Sequence, residues 1–416
     1  MRVLNSRTVS LILAAAASAA ALSVITPFLY ADITVTRHLP ASAAAGAFAF
    51  FAVGTALAAP LVGSLADRFS ATAVAVSGRV LAAVAFLALG YAATTPNVLL
   101  AAALLGAAAS LARVPIQVLL VRSAPPDRAR DVFGLAFVAM NGGSALGAIA
   151  GGALAQLSNP AQMHRLYWIA AAVSALGNVF VLAAPRSPAA RADDRTQPRE
   201  ISYRTLLGDH RIRLLLAISF VITLACWAQY TSGLPAYALT ALQVSPRSLG
   251  VSIAVSELLV AGLTSLVVAR TRHVAGPQLL AAAGMVWAGC WVVFSLPLFT
   301  DLDPGAAVFG GLAVLALGDT LMAPVLSPLA ATLAGEAASG RAMAAVSALS
   351  TSATALGPIL ASVLLGLELP RAFVLIQIGI CMLAVIMALR LRAALQAAAP
   401  ESVLTHIEHV ERTEVP

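Results

Sequence analysis

The chain has 416 residues, of which 60% are hydrophobic and only 10% are charged; its mean hydropathy is +0.91. A soluble domain is about 45–50% apolar and about 25% charged, so this sequence lacks the charge to cover a water-facing surface, which excludes a soluble enzyme, a disordered chain and a disulfide scaffold. The formal net charge is +7 and all 25 cations are Arg, but they fall between long apolar runs rather than on one hydrophilic face, which argues against a nucleic-acid partner.

What remains is a polytopic membrane protein. At about 20 apolar residues per crossing, the length holds about a dozen spans. The first run, from Val9 to Tyr30 behind Arg2 and Arg7, is too long for the apolar core of a signal peptide and is followed by further spans, so it reads as a transmembrane helix. In chain order the spans are expected at residues 8–30, 42–65, 72–94, 97–121, 132–156 and 164–185, then 212–236, 247–269, 276–298, 305–328, 342–366 and 372–394. Lipid-exposed backbone must satisfy its own hydrogen bonds, and the alternating pattern of a β-barrel is absent, so these runs are helices.

The stretch from Pro185 to Arg213 is the one long hydrophilic interruption. It divides the chain into a six-span bundle (1–185), a charged loop (186–211), a second six-span bundle (212–394) and a tail (395–416). Two repeated bundles facing a central cavity are a common transporter layout. With the N-terminus inside, 19 of the 25 Arg flank cytoplasmic segments and only Arg37, Arg165, Arg247 and Arg371 flank outer loops. This is a strong positive-inside bias; it puts both termini in the cytoplasm and the chain in the cell (inner) membrane.

Charged side chains within the bilayer are costly and mark functional candidates. Two Arg fall inside spans, Arg79 in the third and Arg113 in the fourth. Glu257 stands about halfway along the eighth span and Asp319 about halfway along the tenth, five residues before Pro324. A buried carboxyl of this kind can load a proton on one side and release it on the other. Asp319 and Glu257 are therefore the proton-coupling candidates, with Arg113 and Arg79 as their possible ion-pair partners. Asp32 closes the first span and reads as a solvated helix end; Tyr30, Tyr237 and Trp168 read as interfacial anchors. Trp287 and Trp291 lie four apart on one face and suit packing. Cys226, Cys290 and Cys381 sit in apolar runs without metal spacing, and their odd number argues against a disulfide framework. No Walker loop, metal cluster or catalytic constellation is visible, so neither enzyme activity nor a cofactor is expected.

Two motifs go further. After the second span comes Gly63-Ser64-Leu65-Ala66-Asp67-Arg68-Phe69. It resembles the signature between helices 2 and 3 of the major facilitator superfamily, although Ser70, Ala71 and Thr72 stand where the second Gly and the basic residues belong. Asp67 is placed at a helix start, where the dipole favours an anion, and Arg79 could supply the missing cation. In the fifth span, Gly147-Ala148-Ile149-Ala150-Gly151-Gly152 is similar to the antiporter motif of the same superfamily, with Ala148 in place of Pro. Small residues at helical spacing let backbones approach closely. Gly340-Arg341 and Gly357-Pro358 in the second half parallel Arg128–Asp131 and Gly147-Ala148 in the first, as related bundles would.

The resemblance implies an all-α fold of twelve helices in two bundles, working by alternating access, with Gly63, Asp67 and Arg68 latching a cytoplasmic gate. It implies a cavity lined by helices 1, 4, 7 and 10, which makes Thr26, Trp227 and Gln229 substrate candidates; Asn141 of helix 5 either binds substrate or bridges helices. Its closest flavour is the drug and metabolite efflux group. The expected function is proton-coupled export of a small, largely apolar organic compound by a monomer in the lipid bilayer. A proton-coupled or facilitative importer is the alternative, and a membrane sensor or scaffold the alternative outside transport.

Overall fold

The structure, a computed structural model, describes residues 5–123, 129–184, 207–271, 273–322, 325–334 and 339–397. At residues 60, 63, 64, 66–68, 121, 122, 129–131, 327, 328, 331, 339–341, 343, 344 and 347 it describes the backbone alone. The expected central loop from 186 to 206 and the tail from 398 lie outside the described residues.

Among the described residues, twelve helices are long and apolar enough to cross a membrane. The first six are α1 (Ser6–Ala31), α2 (Ala41–Phe69), α3 (Ala71–Gly90), α4 (Thr95–Ser123), α5 (Ala129–Leu154) and α6 (Pro160–Ala183). The second six are α7 (from His210–Ala225), α8 (Pro246–Thr271), α9 (Gly276–Ser295), α10 (Pro304–Met322), α11 (Ser339–Gly366) and α12 (Pro370–Ala397). In the first bundle α1 packs on α5 and α6, α2 on α4, and α3 on α4 and α6; in the second, α7 packs on α11 and α12, α8 on α10, and α9 on α10 and α12. An even number of crossings brings the start of α1 and the end of α12 to one face, here called the terminal face.

Three helices depart from the expected runs. α2 does not stop before the Gly63–Phe69 motif. Leu and Ala carry it on as helix to Phe69, and one residue, Ser70 (φ 86°), makes the turn into α3. Asp67 therefore stands in the last turn of α2 rather than at a helix start, and the dipole argument made for it fails. The side chains of Gly63, Asp67 and Arg68 lie outside the described residues. α10 is described to Met322, residue 325 lies in a turn, and a short helix follows at Leu326–Ala334, so Asp319 sits one turn before the end of the described part of α10. α7 is interrupted at Cys226 (φ −115°, ψ −77°) and continues as wide π turns, Gln229–Gly233 and Tyr237–Ala241. At its start Asp209 caps α7, and the Arg211 guanidinium beside it holds the Asp209 carboxyl below its usual range.

The two bundles repeat each other where α1 and α7 end. Each closes in a π turn, Asp32–Thr36 or Tyr237–Ala241. Each then passes a left-handed residue, His38 (φ 54°) or Gln243 (φ 55°). The side chains bracing these ends differ in kind. In the first bundle Arg37 donates to the carbonyls of Leu89 (2.7 Å) and Ala92 (3.0 Å), pairs with Asp32 and lies over the Tyr167 ring; the Tyr167 hydroxyl donates to Asp32 at 2.7 Å. In the second, the Tyr237 hydroxyl donates to Phe294 O at 2.9 Å amid Phe373 and Trp291. Asp32 is 1% exposed, so it is a buried ion-pair partner and not a solvated helix end. Tyr30 and Tyr237 are likewise buried rather than interfacial, whereas Trp168 is exposed.

The bundles meet through α5 on α8, α2 on α11, and α1 on the interrupted part of α7. The tightest contact is backbone on backbone. A Cβ on Gly152 of α5 would stand 2.7 Å from Pro246 O and 3.0 Å from Gly250 Cα of α8. Gly366 of α11 lies against Ala41 of α2. All of these stand toward the face opposite the termini. About five turns along α5 on the same side, Gly134 has nothing within 4 Å. Among the described residues, these close contacts between the bundles lie toward the opposite face.

Two stability predictions follow from this packing. Gly147 and Gly151 of α5 lie against the Ala20 and Val24 carbonyls of α1, so Gly147→Leu should destabilise the purified protein by about 1–3 kcal/mol through overpacking, read as a lower midpoint of thermal unfolding in detergent. Arg37→Met, which strands the buried Asp32 carboxylate, should cost about 3–5 kcal/mol; Tyr167→Phe, which removes the bond to Asp32 and the one accepted from Arg37 but leaves the ion pair, should cost about 1–2 kcal/mol. Equal unfolding midpoints for the two variants would contradict this assignment of the brace.

Candidate functional site

α7, α8 and α10 bring two carboxyls together at mid-depth in the second bundle. Glu257 of α8 is half-buried, and its Oε1 accepts a hydrogen bond from the Tyr230 hydroxyl at 2.8 Å. Asp319 of α10 is 8% exposed, and its Oδ1 accepts from the Cys226 thiol at 3.3 Å. Both donors belong to the interrupted stretch of α7, and the Tyr230 N–H donates to the Cys226 carbonyl at 2.7 Å. The wall behind the acids is closed by Ser256, which donates to Leu312 O of α10, and by Trp287, packed on Gly318. Among the described residues neither acid has a cationic partner.

Trp227 is 41% exposed and stands edge-on to Tyr230, with 6.3 Å between ring centroids. It is thus an accessible aromatic beside the Glu257 pair. Gln229 is 1% exposed; its amide nitrogen reaches Leu224 O and Gly357 O, both at 3.4 Å. The expectation that Gln229 faces substrate is corrected: it stitches the break in α7 to α11. Trp291 does the same for the Ala225 carbonyl, from α9. Thr26 bonds its own helix at Leu22 O, and Asn141 bonds Phe137 O; neither bridges helices through these bonds.

The expected ion pairs between the acids and Arg113 or Arg79 do not form. Arg79 is 1% exposed inside the first bundle, where its guanidinium donates to Ala14 O of α1 and lies against Gly177 of α6. Arg113 belongs to a stripe on α4. Leu99, Ala103 and Gly106 face Gly46, Gly54 and Phe51 of α2, and buried Ser110 extends the line. Continuing at the same spacing of three and four, Arg113 and Gln117 are exposed. Among the described residues Arg113 has no hydrogen bond or ion pair. Leu100, 72% exposed, lies on another side of α4, so Arg113 is turned away from that apolar side.

Cys226 was missed from sequence because a thiol in an apolar run reads as packing; its signal is the spacing of four to Tyr230 across a helix break. Gln117 was missed although it stands four after Arg113. In α5, Gly147 and Gly151 pack on α1, while Gly152 faces α8, so the small-residue run serves two interfaces at once. Among the described residues no group of three or more His, Cys, Asp or Glu is arranged to hold a metal ion.

None of the curated proteins matches the sequence. Several solved structures share the fold. A mutant of the peptide transporter POT in complex with sulfate has 16% identity and a TM-score of 0.75, over 94% of each chain. A mutant of the nucleoside transporter NupG has 13% identity and a TM-score of 0.73, over 94% of this chain and 99% of that one. A POT family transporter in complex with 5-aminolevulinic acid has 13% identity and a TM-score of 0.71, over 93% and 95%. Residues 11–302 match the family model described as Major Facilitator Superfamily. With most of its length matched, the chain belongs to the Major Facilitator Superfamily.

Proposed function

We propose that the protein is a proton-coupled secondary transporter that exports a small, largely apolar organic compound across the cell membrane in exchange for protons. The observation that carries this reading is the Glu257–Tyr230 pair: a carboxyl at mid-depth, half-buried, held by a neutral hydroxyl at 2.8 Å with no cation beside it among the described residues. A carboxylate locked in an ion pair keeps its charge; one held by a neutral donor is free to take up a proton when water reaches it. Asp319 behind it, with a thiol partner, is a second acid of the same kind.

The scarcity of charge around this pair and the exposed Trp227 suit a neutral or lipophilic cargo. Export is supported by the α5 run alone, since close α5–α8 contact through Gly152 and Gly250 would limit leakage through the opposite face. The Arg asymmetry supports a cytoplasmic terminal face. The motif that Gly63, Asp67 and Arg68 carry supports a gate at that face.

Arg113 and Gln117, exposed on α4, favour a second reading: uptake of a polar, anion-bearing metabolite. The polar ligand bound by one structural neighbour is in keeping with it.

Proteoliposomes with an imposed pH gradient separate the two. Wild type should move protons when a cargo compound is added, opposite in direction to the cargo for export by exchange and in the same direction for uptake by symport. Glu257→Gln and Asp319→Asn should each reduce gradient-driven accumulation by about a hundredfold or more, the size of losing one positioned proton-transfer group. Counterflow exchange, which needs no proton, should persist. Full gradient-driven transport in both variants would overturn the proposal.

A further inference from the structure

Cys226 occupies a position that the proposed proton chemistry does not by itself require. It is the residue at which α7 leaves helical geometry. Its thiol donates to Asp319 at 3.3 Å, and its carbonyl accepts the N–H of Tyr230, whose hydroxyl holds Glu257. The two acids, on α8 and α10, are therefore tied to one five-residue stretch of α7, Cys226 to Tyr230. Immediately beyond it, the π turn Gln229–Gly233 and the segment Leu234–Ala236 touch α1. That contact is one of those between the bundles at the opposite face.

The other two thiols are placed differently. Cys290 donates to a backbone carbonyl, Gly311 O, at 3.1 Å, and Cys381 is buried on α12. The titratable groups that sense Asp319 are Cys226 and Tyr230 of α7 and Cys290 of α9, and Asp319 itself senses Glu257 of α8. Among the described residues no Arg or His joins them. A thiol is a weak donor, so its bond matters most when the acceptor is charged, and charge-assisted bonds are the stronger kind. Loading a proton on Asp319 removes the charge that the thiol serves. The bond at the break then weakens, and the stretch of α7 that leads to the α1 contact is released.

We propose that Cys226 is a positioning residue through which the proton load on Asp319 sets the shape of α7 and, with it, the α1–α7 contact at the opposite face. This rests on the proton-coupled reading above. It assigns Cys226 no contact with substrate.

The test uses the full chain in lipid nanodiscs without any substrate. Spin labels are attached through noncanonical amino acids, blind to thiols, at Val35 and Gln243. Both are exposed, and they stand at the α1 and α7 ends of the seam. Distance distributions are recorded by electron–electron double resonance across a pH series. In wild type the distribution should change with pH, and Asp319→Asn should abolish the change. Cys226→Ser, which keeps a donor, should titrate as wild type does. Cys226→Ala, which removes the thiol that ties α7 to Asp319, should lose the pH-dependent change and hold the released distribution at every pH. Cys226→Val, closer in volume, should behave as Cys226→Ala and guards against a folding defect in either. A wild-type transition in both apolar variants would overturn the role of Cys226 while leaving the proton reading standing. A wild-type transition in Asp319→Asn, or none in wild type, would overturn both.

Discussion

The hydrocarbon of a bilayer offers no partner to a polar group, so a charge inside a span is costly unless the protein itself answers it. Among the described residues Asp32, Arg79, Glu257 and Asp319 are answered in three ways, whereas Arg113 is exposed on α4 without a partner. Asp32 is answered by a full charge, Arg37, with the Tyr167 hydroxyl added. Arg79 is answered by the Ala14 carbonyl in the interior of the first bundle. Glu257 and Asp319 are answered only by a hydroxyl and a thiol. An ion-paired carboxylate is fixed in one state, whereas a carboxyl on a neutral donor has two accessible states. The first kind holds a helix end in place and the second can carry a proton.

The same constraint shapes the contact between the bundles. Two bundles that rock against each other cannot be locked by interdigitated side chains or buried ion pairs without a large cost on each separation. Here the tightest contact is glycine on glycine, Gly152 to Gly250, with Gly366 against Ala41 beside it. Small residues give close van der Waals contact with little polar surface to strand when the faces part. On the same helix, Gly147 and Gly151 lie against α1 within their own bundle. One run of glycine thus fixes α5 in its bundle and lets it meet α8 across the seam. The internal repeat sharpens the point: α1 and α7 end in the same π turn and left-handed residue, yet one end is braced by an ion pair and the other by aromatic rings.

Much of this was legible in the sequence. Apolar runs of spanning length gave the helices, because backbone hydrogen bonding in lipid allows little else. Asp319 and Glu257 stood out because charge at that depth is rare. The misread features were those decided by tertiary partners. Asp32 looked like a solvated end because Arg37, Tyr167 and the Leu89 carbonyl come from three places in the chain. Gln229 looked like a cavity residue because the break at Cys226, whose freed carbonyl at Leu224 it satisfies, leaves no Pro or Gly at the break itself. The helix through Asp67 was hidden by a loop-like motif whose Gly63 a helix tolerates. Arg79 and Arg113 looked like partners for the acids by charge alone, whereas the fold puts them in the other bundle.

The account stands on the two acids changing protonation within the folded protein, which infrared difference spectroscopy on the membrane-reconstituted chain measures directly. Stepping the buffer from acid to alkaline should bleach protonated-carboxyl C=O bands in wild type. Glu257→Gln should remove one band and Asp319→Asn another, with the remaining spectrum unchanged. If neither variant removes a band, these carboxyls do not titrate, and the coupling assigned to the second bundle is contradicted.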